Sequence, residues 1–529
     1  MKRAIKKLIR KVSPPKSMTQ SMNNSSNGKK VYSSLKKNHD YLKNLFKDCD
    51  DIDFRKIKIA DSSITVLIVY VDGLAAQETI GADIVKSLTV LAPKSKDMRY
   101  SKQNIHDSLL STAQAEEQDD FDNVVESLLG GEALVFVDGI NGAFSIDIRS
   151  WEGRSVEEPS NEQTIRGPRE GFTETLRFNT ALIRRRLKNN DLKMKHFKVG
   201  RQSKTDVVIT YFASIADDTV VREVEERIKK IDIDGVLESS YIEELIEERT
   251  ISIFPQILNT ERPDRAVGHL LEGKVVILVD NTPFALVLPV TLAQFFHSPE
   301  DHYNRYIYTF ITRIFRFAGF FLATCLPAIY VILTSFRYEM IPIDIIFSIA
   351  ETREELPFTP FMEALLLEVI VEFLREATLR LPGPIGQTIG IVGALVIGEA
   401  AVQARLISPI LVIFTATTML GSFAIPNYNM ASSVRLLRFP LLFASGLLGG
   451  FGFVLTWMVI FIHICNLQSF GVPFLQPFSP LKLSEQRDNI FRAPIRWMRR
   501  RPVQTAKTEN LRRQIGVEND DEKTRKKKD

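Results

Sequence analysis

Four glutamates interrupt an apolar stretch between Phe361 and Glu376, and their spacing is the clearest sign of chemistry in this sequence. They are Glu363, Glu368, Glu372 and Glu376. At about 100° per residue, the last three fall on one face of a helix. A carboxylate in hydrocarbon costs on the order of 2.5–3.5 kcal/mol, so this face must meet water, a partner charge or another subunit. Rings of such acids select cations in pores.

Two interpretations of this helix remain open. In the first, it lines a pore or vestibule; in the second, it lies at the outer membrane surface with its acids in water, paired to Arg375 and Arg380. A fifth acid, Glu399, stands within a more apolar stretch and either adds to the path or hydrogen-bonds to a neighbouring helix. The five glutamates together form the candidate ion path.

The sequence gives no sign of an enzyme. It contains no GxxxxGK[ST], HExxH or GxSxG motif, and its seven histidines are scattered. The three cysteines, Cys49, Cys325 and Cys465, form neither a CxxC pair nor a disulfide framework. With 68 Lys and Arg against 64 Asp and Glu, the net charge of +4 does not favour nucleic acid. We therefore predict no catalytic residue, cofactor, metal site or nucleic-acid partner.

The hydropathy pattern predicts a membrane protein with a soluble head. Charged residues concentrate in the first 270 and last 50 positions, and the region between 315 and 470 is apolar. A spanning helix needs about 20 apolar residues. Four segments meet this length: Phe317–Phe336, Ile385–Ala404, Ile407–Ile425 and Phe439–Ile464. The second carries small residues every four positions, which favours close helix packing. These are Gly386, Gly390, Ala394 and Gly398.

Flanking charges predict the orientation. Arginines precede the first span and acids follow it, which places the N-terminal region on the cytoplasmic side. The basic tail from Lys482 should lie on that side too, so the number of spans must be even. Four spans are preferred, and six result if both Val275–Phe296 and Phe361–Leu379 also cross.

The soluble head reads as two α+β (α/β-like) subdomains. In the first, the β-branched run Ser63–Val71 predicts a strand, and Glu132–Asp138 with Ala143–Arg149 predicts a hairpin. In the second, Phe172–Leu187 is helical and Val207–Phe212 is a strand. Asp218 is the predicted N-cap of the next helix, and a hairpin joining Lys274–Val279 to Pro283–Leu288 follows. The predicted divisions are a disordered basic arm at 1–40, soluble subdomains at 41–150 and 151–300, a helical transmembrane domain of four to six spans at 301–481, and a basic tail at 482–529.

A charged segment with regularly placed glycine and proline runs between the two subdomains, from Ser150 to Glu174. We call it the signature segment. It resembles the signature of the A subunits of bacterial spore germinant receptors, the GerA type, and the resemblance extends over roughly residues 40–482. Further matching motifs are Pro283-Phe284, Glu355-Leu-Pro-Phe358, Leu381-Pro-Gly-Pro-Ile-Gly386 and Pro473-Phe-Leu-Gln-Pro-Phe478.

The resemblance implies a subunit of a nutrient receptor in the spore inner membrane, with a transporter-like B subunit and a lipoprotein C subunit as partners. It also implies that the chain forms a ring oligomer acting as a ligand-gated cation channel. Two alternatives are a non-conducting scaffold or accessory germination protein, and a secondary transporter. The transporter is disfavoured because the sequence shows no internal repeat.

The charges of the signature segment favour an assembly or coupling role over ligand binding. Its glycines and proline predict a turn, and the plainer interpretation is a rigid hinge that only orients the two subdomains. The candidate coupling residues are Trp151, Glu152, Arg154, Glu158, Pro159, Glu162, Arg166, Gly167, Pro168, Arg169, Glu170 and Gly171.

Overall fold

The chain folds into two compact units. The first contains Met1–Ser155 and Arg177–Lys195, and the second contains Val156–Leu176 and His196–Asp529. The structure is a computed structural model. It describes residues 29–59, 64–86, 88–89, 115–148, 158–381, 398–482, 486, 488–494, 498 and 501.

The first unit is built on a five-stranded antiparallel sheet. Its strands are β1 (Ile52–Lys58), β2 (Thr65–Val71), β3 (Ala115–Gln118), β4 (Ala133–Val137) and β5 (Ala143–Ile146), in the order β1-β2-β4-β5-β3. Helices α1 (Leu35–Leu45) and α2 (Phe121–Gly130) pack on one face, and the helical turns Gln77–Thr79 and Ile80–Val85 follow β2. The predicted strand and hairpin are present, because β4 is apolar at every position and β2 is apolar and buried after Thr65.

A second five-stranded sheet has the order β6-β7-β9-β10-β8. Its strands are β6 (Leu192–Val199), β7 (Thr205–Phe212), β8 (Leu258–Thr260), β9 (Val275–Val279) and β10 (Ala285–Leu288). The helices of this part of the chain are α3 (Leu176–Arg186), α4 (Asp218–Lys229), α5 (Ser239–Ile246) and α6 (Pro263–Leu270).

Two expectations for this region are corrected. Strands β9 and β10 pair antiparallel, so the predicted hairpin is present and the alternative spanning helix Val275–Phe296 is wrong. The N-cap of α4 is Asp217 rather than Asp218, because its carboxylate accepts a hydrogen bond from the Thr219 N–H at 2.8 Å.

The two sheets repeat one topology, which the sequence analysis did not find. Gly131–Gly139 (GEALVFVDG) matches Gly273–Asn281 (GKVVILVDN), and each stretch holds the fourth strand of its sheet. Asp138 Oδ1 accepts the Leu35 N–H at the start of α1 at 3.1 Å. Asp280 Oδ1 accepts the Leu176 N–H at the start of α3, also at 3.1 Å. The repeat therefore preserves a helix-capping aspartate as well as the strand order.

Five helices follow the second sheet: α7 (Tyr306–Ser335), α8 (Ile343–Arg353), α9 (Pro360–Arg380), α10 (Pro409–Phe423) and α11 (Tyr428–Asn466). Short 3₁₀ turns lie at Leu292–Phe296, Pro299–His302 and Tyr338–Met340, and a two-stranded ribbon of β11 (Gln468–Ser469) and β12 (Val472–Pro473) closes the block. Among the described residues, α7 and α11 are long and apolar enough to cross a membrane. The predicted span Ile407–Ile425 corresponds to the shorter α10, and most of Ile385–Ala404 lies outside the described residues.

Helix α11 is a helical hairpin rather than one straight rod. Its backbone leaves the helical region at Gly449, with φ 62° and ψ −141°. A Cβ added to Gly452 would lie 2.1 Å from the carbonyl oxygen of Ala444, so the chain folds back on itself there. The predicted single span Phe439–Ile464 is therefore divided between the two arms, and the first arm begins earlier, at Tyr428.

Both ends of the helical block contact the second sheet unit. Before the block, Val290 N–H donates to Ser469 Oγ at 3.1 Å and Leu292 N–H donates to the Phe474 carbonyl at 2.7 Å. Since Ser469 and Phe474 follow the last helix, the chain enters and leaves the block at the same end.

Candidate functional site

The acidic helix α9 turns its glutamates into several different environments. Thr359 caps it by accepting the Met362 N–H at 3.4 Å, and Pro360 occupies its first turn, where a missing N–H has no cost. Glu363 and Glu368 are fully buried, whereas the Glu376 side chain is 59 % exposed. The acidic face is therefore buried at its start and exposed at its end.

A single guanidinium joins two of the predicted glutamates. Arg438, on the first arm of α11, donates through Nη1 to Glu368 Oε2 and through Nη2 to Glu372 Oε1, the second at 3.0 Å. The Arg438 side chain is 1 % exposed and that of Glu368 is 0 % exposed. A buried carboxylate in an apolar block is stable only with such a partner, so Arg438 is the counter-ion that permits the acidic face to be buried.

Further cations surround Glu372. Arg375 Nη1 donates to it at 3.4 Å, and Arg435 Nε lies 4.0 Å from its Oε1. The guanidiniums of Arg375 and Arg435 lie 6.0 and 5.9 Å from the centre of the Tyr428 ring, which is cation–π range. We call Glu368, Glu372, Arg375, Arg435 and Arg438 the charge cluster. It contains three guanidiniums and two carboxylates, so its formal charge is positive.

Glu363 belongs to a separate network at the other end of α9. Its carboxylate lies 3.0 Å from Arg353 Nη2 and accepts the Ser408 N–H at 3.2 Å. Arg353 also donates to the Tyr330 hydroxyl at 3.3 Å, and that hydroxyl lies 3.0 Å from Ser408 Oγ. This network joins α7, α8, α9 and the start of α10 through one buried carboxylate.

The remaining predicted path residues lie on the surface. Glu376 pairs with Arg380 at 2.5 Å, as the surface interpretation expects, and Glu372 pairs with Arg375. Glu399 is exposed and accepts from Gln403 Nε2 at 2.9 Å. The structure thus brings Glu368 and Glu372 together, places Glu363 apart from them, and leaves Glu376 and Glu399 outside both networks.

The described part of the signature segment is organised around Arg262, which the sequence analysis did not single out. This fully buried guanidinium donates to the Glu162 carbonyl at 3.1 Å, to Thr164 Oγ1 at 3.1 Å and to the Pro168 carbonyl at 2.6 Å. It also pairs with Asp264 at 3.1 Å. We call these contacts the Arg262 node.

Side chains of the segment extend the node. Glu162 Oε2 accepts from Thr260 Oγ1 at 2.5 Å, and its Oε1 pairs with Arg265. Asn161 donates through Nδ2 to Glu261 Oε1 at 2.5 Å. Pro159 and Gly171 are buried, whereas Glu158, Arg166 and Arg169 are exposed and Glu170 is partly exposed. Trp151, Glu152 and Arg154 lie outside the described residues.

The signature segment also contacts the turn that leads into α7. Gly167 has φ +148°, and a Cβ there would lie 2.8 Å from the Tyr303 ring, so the close approach requires glycine. Tyr303 donates its hydroxyl proton to Asp264, and Ile165 N–H donates to Glu300 at 2.6 Å. The adjacent Asp301 accepts from Arg313 at 2.9 Å and from Arg316 at 2.8 Å, both on α7. A continuous set of contacts therefore runs from the signature segment to the first long helix.

The missed partners had little local signal. Arg262 and Arg265 lie about a hundred residues from the segment they hold, and their sequence context is an ordinary helix start. Arg435 and Arg438 could have been noticed because they stand beside a long apolar run. The predicted span began at Phe439, immediately after them, and so excluded both.

Comparison with known proteins gives the family of this chain. The chain belongs to the Bacillus/Clostridium GerA spore germination protein family, whose model matches residues 40–504. The family assignment made from the signature segment is confirmed. The chain is thus a germinant receptor A-subunit homologue, and its apolar helices associate it with a membrane.

Two relatives come from Bacillus subtilis (strain 168). The chain is 43 % identical over 470 residues to the uncharacterized membrane protein YfkQ, covering 89 % of this chain and 91 % of that one. It is 40 % identical over 480 residues to spore germination protein KA, covering 90 % and 88 %. Among solved structures, the N-terminal domain of the A subunit of the Bacillus megaterium spore germinant receptor GerK3 is 34 % identical, covering 49 % of this chain and 96 % of that one, with a TM-score of 0.39.

Proposed function

We propose that this chain is a subunit of a nutrient germinant receptor in the spore inner membrane, that it self-associates into a ring, and that the ring conducts cations. The observation that carries the proposal is the charge cluster. Glu368 and Arg438 are buried between apolar helices, and the other three groups lie beside them. Ionisable groups within membrane segments are rare and often line ion paths.

The cluster corresponds to a closed state. With Arg438 bound to Glu368 and Glu372, the positive formal charge of the charge cluster repels cations. Conduction requires the first arm of α11 to withdraw Arg438, which exposes two carboxylates per subunit. A ring of identical subunits then multiplies one acidic face into a cation-selective constriction.

Six membrane crossings per chain agree best with the contacts between helices. Phe336, at the end of α7, lies against Gly449, and Phe361, at the start of α9, lies against Gly446. Arg375, near the end of α9, reaches Tyr428 at 3.5 Å. Helices α7 and α9 and the two arms of α11 therefore alternate in direction, and α10 adds a further pass. The sixth crossing is the predicted span Ile385–Ala404, most of which lies outside the described residues.

The Arg262 node supports a coupling role within a complex that also contains a transporter-like B subunit and a lipoprotein C subunit. The node holds the signature segment, and the Ile165–Glu300 and Asp301–Arg313 contacts beside it connect that segment to the turn before α7 and to α7 itself. A displacement of the signature segment by a partner would therefore reach the helical block directly. Its exposed arginines, Arg166 and Arg169, are available for such a partner.

One observation favours the second candidate, a non-conducting scaffold. Glu368 and Glu372 are both paired with Arg438, as they would be in a purely structural ion pair. In that case the charge cluster would only fix the packing of α9 against α11, and no ion flux would depend on it.

Ion flux in proteoliposomes distinguishes the two. We expect monovalent cation flux from oligomeric preparations, a loss of cation selectivity in the double variant Glu368→Gln, Glu372→Gln, and increased unstimulated flux in Arg438→Gln. The matched control is Glu376→Gln, which neutralises a surface acid of the same helix. The channel proposal fails if no oligomeric preparation conducts, or if the double variant conducts with unchanged selectivity. A scaffold would instead lose oligomer stability without any change in flux.

A further inference from the structure

An apolar residue at the tip of a short turn projects from the second unit without any protein cover. The turn follows α5 and is closed by the Ser252 N–H, which donates to the Arg249 carbonyl at 3.1 Å. Ile251, at its tip, is 96 % exposed, and Ile253 beside it is 44 % exposed. A single exposed isoleucine needs no explanation, but this one is held in place by several specific contacts.

Buried Gln256 fixes the turn from below. Its side chain donates through Nε2 to the Arg249 carbonyl at 2.8 Å and accepts the Arg249 N–H at 3.2 Å. Its own N–H donates to Glu247 Oε1 at 3.2 Å. These three bonds hold the backbone on both sides of the tip, so Ile251 is presented by a rigid support rather than by a frayed loop.

The same turn is fastened to both arms of the α11 hairpin. Ser433, on the first arm, donates through Oγ to the Ile253 carbonyl at 2.6 Å. His463, on the second arm, lies 3.0 Å from Ser252 Oγ, and its ring stacks on buried Phe254 at 6.2 Å. The turn therefore lies at the end of the hairpin where both arms meet the sheet unit.

The exposed apolar surface of the hairpin continues to this turn. Phe461 and Ile462, next to His463, are 56 % and 54 % exposed, and Met458 is 65 % exposed. On a helix long and apolar enough to cross a membrane, such side chains face lipid. Ile251 and Ile253 lie at the end of this band, since Ser252 between them contacts His463. Exposed Arg249 opens the same turn, and apolar residues beside a cation match the pairing of acyl chain and phosphate at a membrane surface.

We propose that the turn Arg249–Ile253 is a membrane-interface anchor. Ile251 enters the boundary between headgroups and acyl chains, to a depth of about 5–10 Å, and Arg249 lies at the level of the lipid phosphates. The anchor holds the second sheet unit at a fixed height above the leaflet. It also ties the sheet to the two arms of α11, so a movement of the hairpin would be transmitted to the sheet through this turn. The turn binds lipid of the leaflet that faces the sheet unit.

Depth-dependent quenching on the full-length protein in vesicles tests the anchor. Cys49, Cys325 and Cys465 are first replaced, and Ile251→Cys is then labelled with an environment-sensitive fluorophore. In phosphatidylcholine–phosphatidylglycerol vesicles, we expect a blue-shifted emission and a loss of intensity with nitroxide-labelled lipids. Since the Ile251 side chain makes no packing contact, the substitution should not impair folding.

The matched control is Leu237→Cys, because Leu237 is also apolar and 70 % exposed. Its neighbour Glu238 accepts a hydrogen bond from Thr282 in the β9–β10 turn. That turn precedes β10, whereas Val290, which contacts Ser469 after the last helix, follows β10. Leu237 therefore lies at the end of the sheet away from the helical block. A label there should be quenched by iodide in solution and not by nitroxide lipids. Equal iodide quenching at both positions would overturn the anchor. So would shielding of position 251 from both quenchers, which would show that protein covers it.

Discussion

The two sheet units share one strand order and one helix-capping aspartate. They differ in the residue that precedes the fourth strand and in what that residue contacts. In the first unit, the residue after the glycine that precedes the fourth strand is Glu132; in the second it is Lys274. Lys274 is buried and donates to Gln294 Oε1 at 2.6 Å, in the 3₁₀ turn that leads toward α7. The same strand order occurs twice, and in the second copy a buried lysine contacts the turn that leads to the helical block.

Buried arginines show the same contrast. Arg184 of the first unit donates to Asp51 through Nε and Nη2, both at 2.9 Å, and to the carbonyls of Asn189 and Leu192. All four residues lie in the first compact unit, which includes Arg177–Lys195. Arg262 of the second unit holds the signature segment instead. Arg184 therefore stabilises the packing of its own compact unit, and Arg262 fixes the position of the signature segment.

The strongest test of this contrast is Arg262→Ala. Removing one partner of a buried, hydrogen-bonded ion pair costs roughly 3–5 kcal/mol, so we expect the amides around Thr164 and Pro168 to lose most of their protection from hydrogen exchange. Arg184→Ala should lose protection near Asp51 and Leu192 and leave the signature segment protected. If both variants lose exchange protection at the same amides, the two arginines do not have the separate roles proposed here.

A pH-dependent effect, smaller per pH unit, is expected at Lys274. Burial, reinforced by Arg265 and opposed by Glu272, lowers the pKa of its amine from 10.5 to about 7. Between these two values the unfolded chain binds more protons, so stability should rise with pH by up to about 1.4 kcal/mol per unit. Below about pH 7 both states are protonated and the dependence ends.

Thermal unfolding of the full chain in detergent measures this effect. Lys274→Met should remove the rise in stability above about pH 7, since the titrating group is gone. Lys198→Met, which removes a lysine whose side chain is 71 % exposed, should keep it. An unchanged pH profile in Lys274→Met would mean that the amine is not titrating in the folded state.

The smallest expected effects test whether the repeat is functional in both copies. Asp138→Ala and Asp280→Ala should each cost about 1 kcal/mol, the usual net contribution of one hydrogen bond. Hydrogen exchange should increase at the start of α1 in the first variant and at the start of α3 in the second. If only one substitution has an effect, the capping bond in the other copy does not contribute to stability.

Sequence reasoning found the central strands and missed the edges. Strands β2, β4, β7 and β9 are apolar runs because both faces of each are covered, and such runs stand out in any sequence. The edge strands β1 and β6 mix basic residues with apolar ones, and β3 and β8 are only four and three residues long. Such strands take their pairing from their neighbours and carry little signal of their own.

What the sequence determined by itself was the family, the apolar block and the acidic face of α9. Each depends on local order, whether of motif residues, of hydropathy or of helical spacing. Only the tertiary structure decided which cation meets that face. Glu368 and Arg438 are 70 positions apart, and nothing in the spacing of one specifies the other. The hairpin at Gly449 was likewise undetectable, because two antiparallel arms and one long span have the same hydropathy. Burial creates the requirement for a counter-ion, and packing alone chooses it.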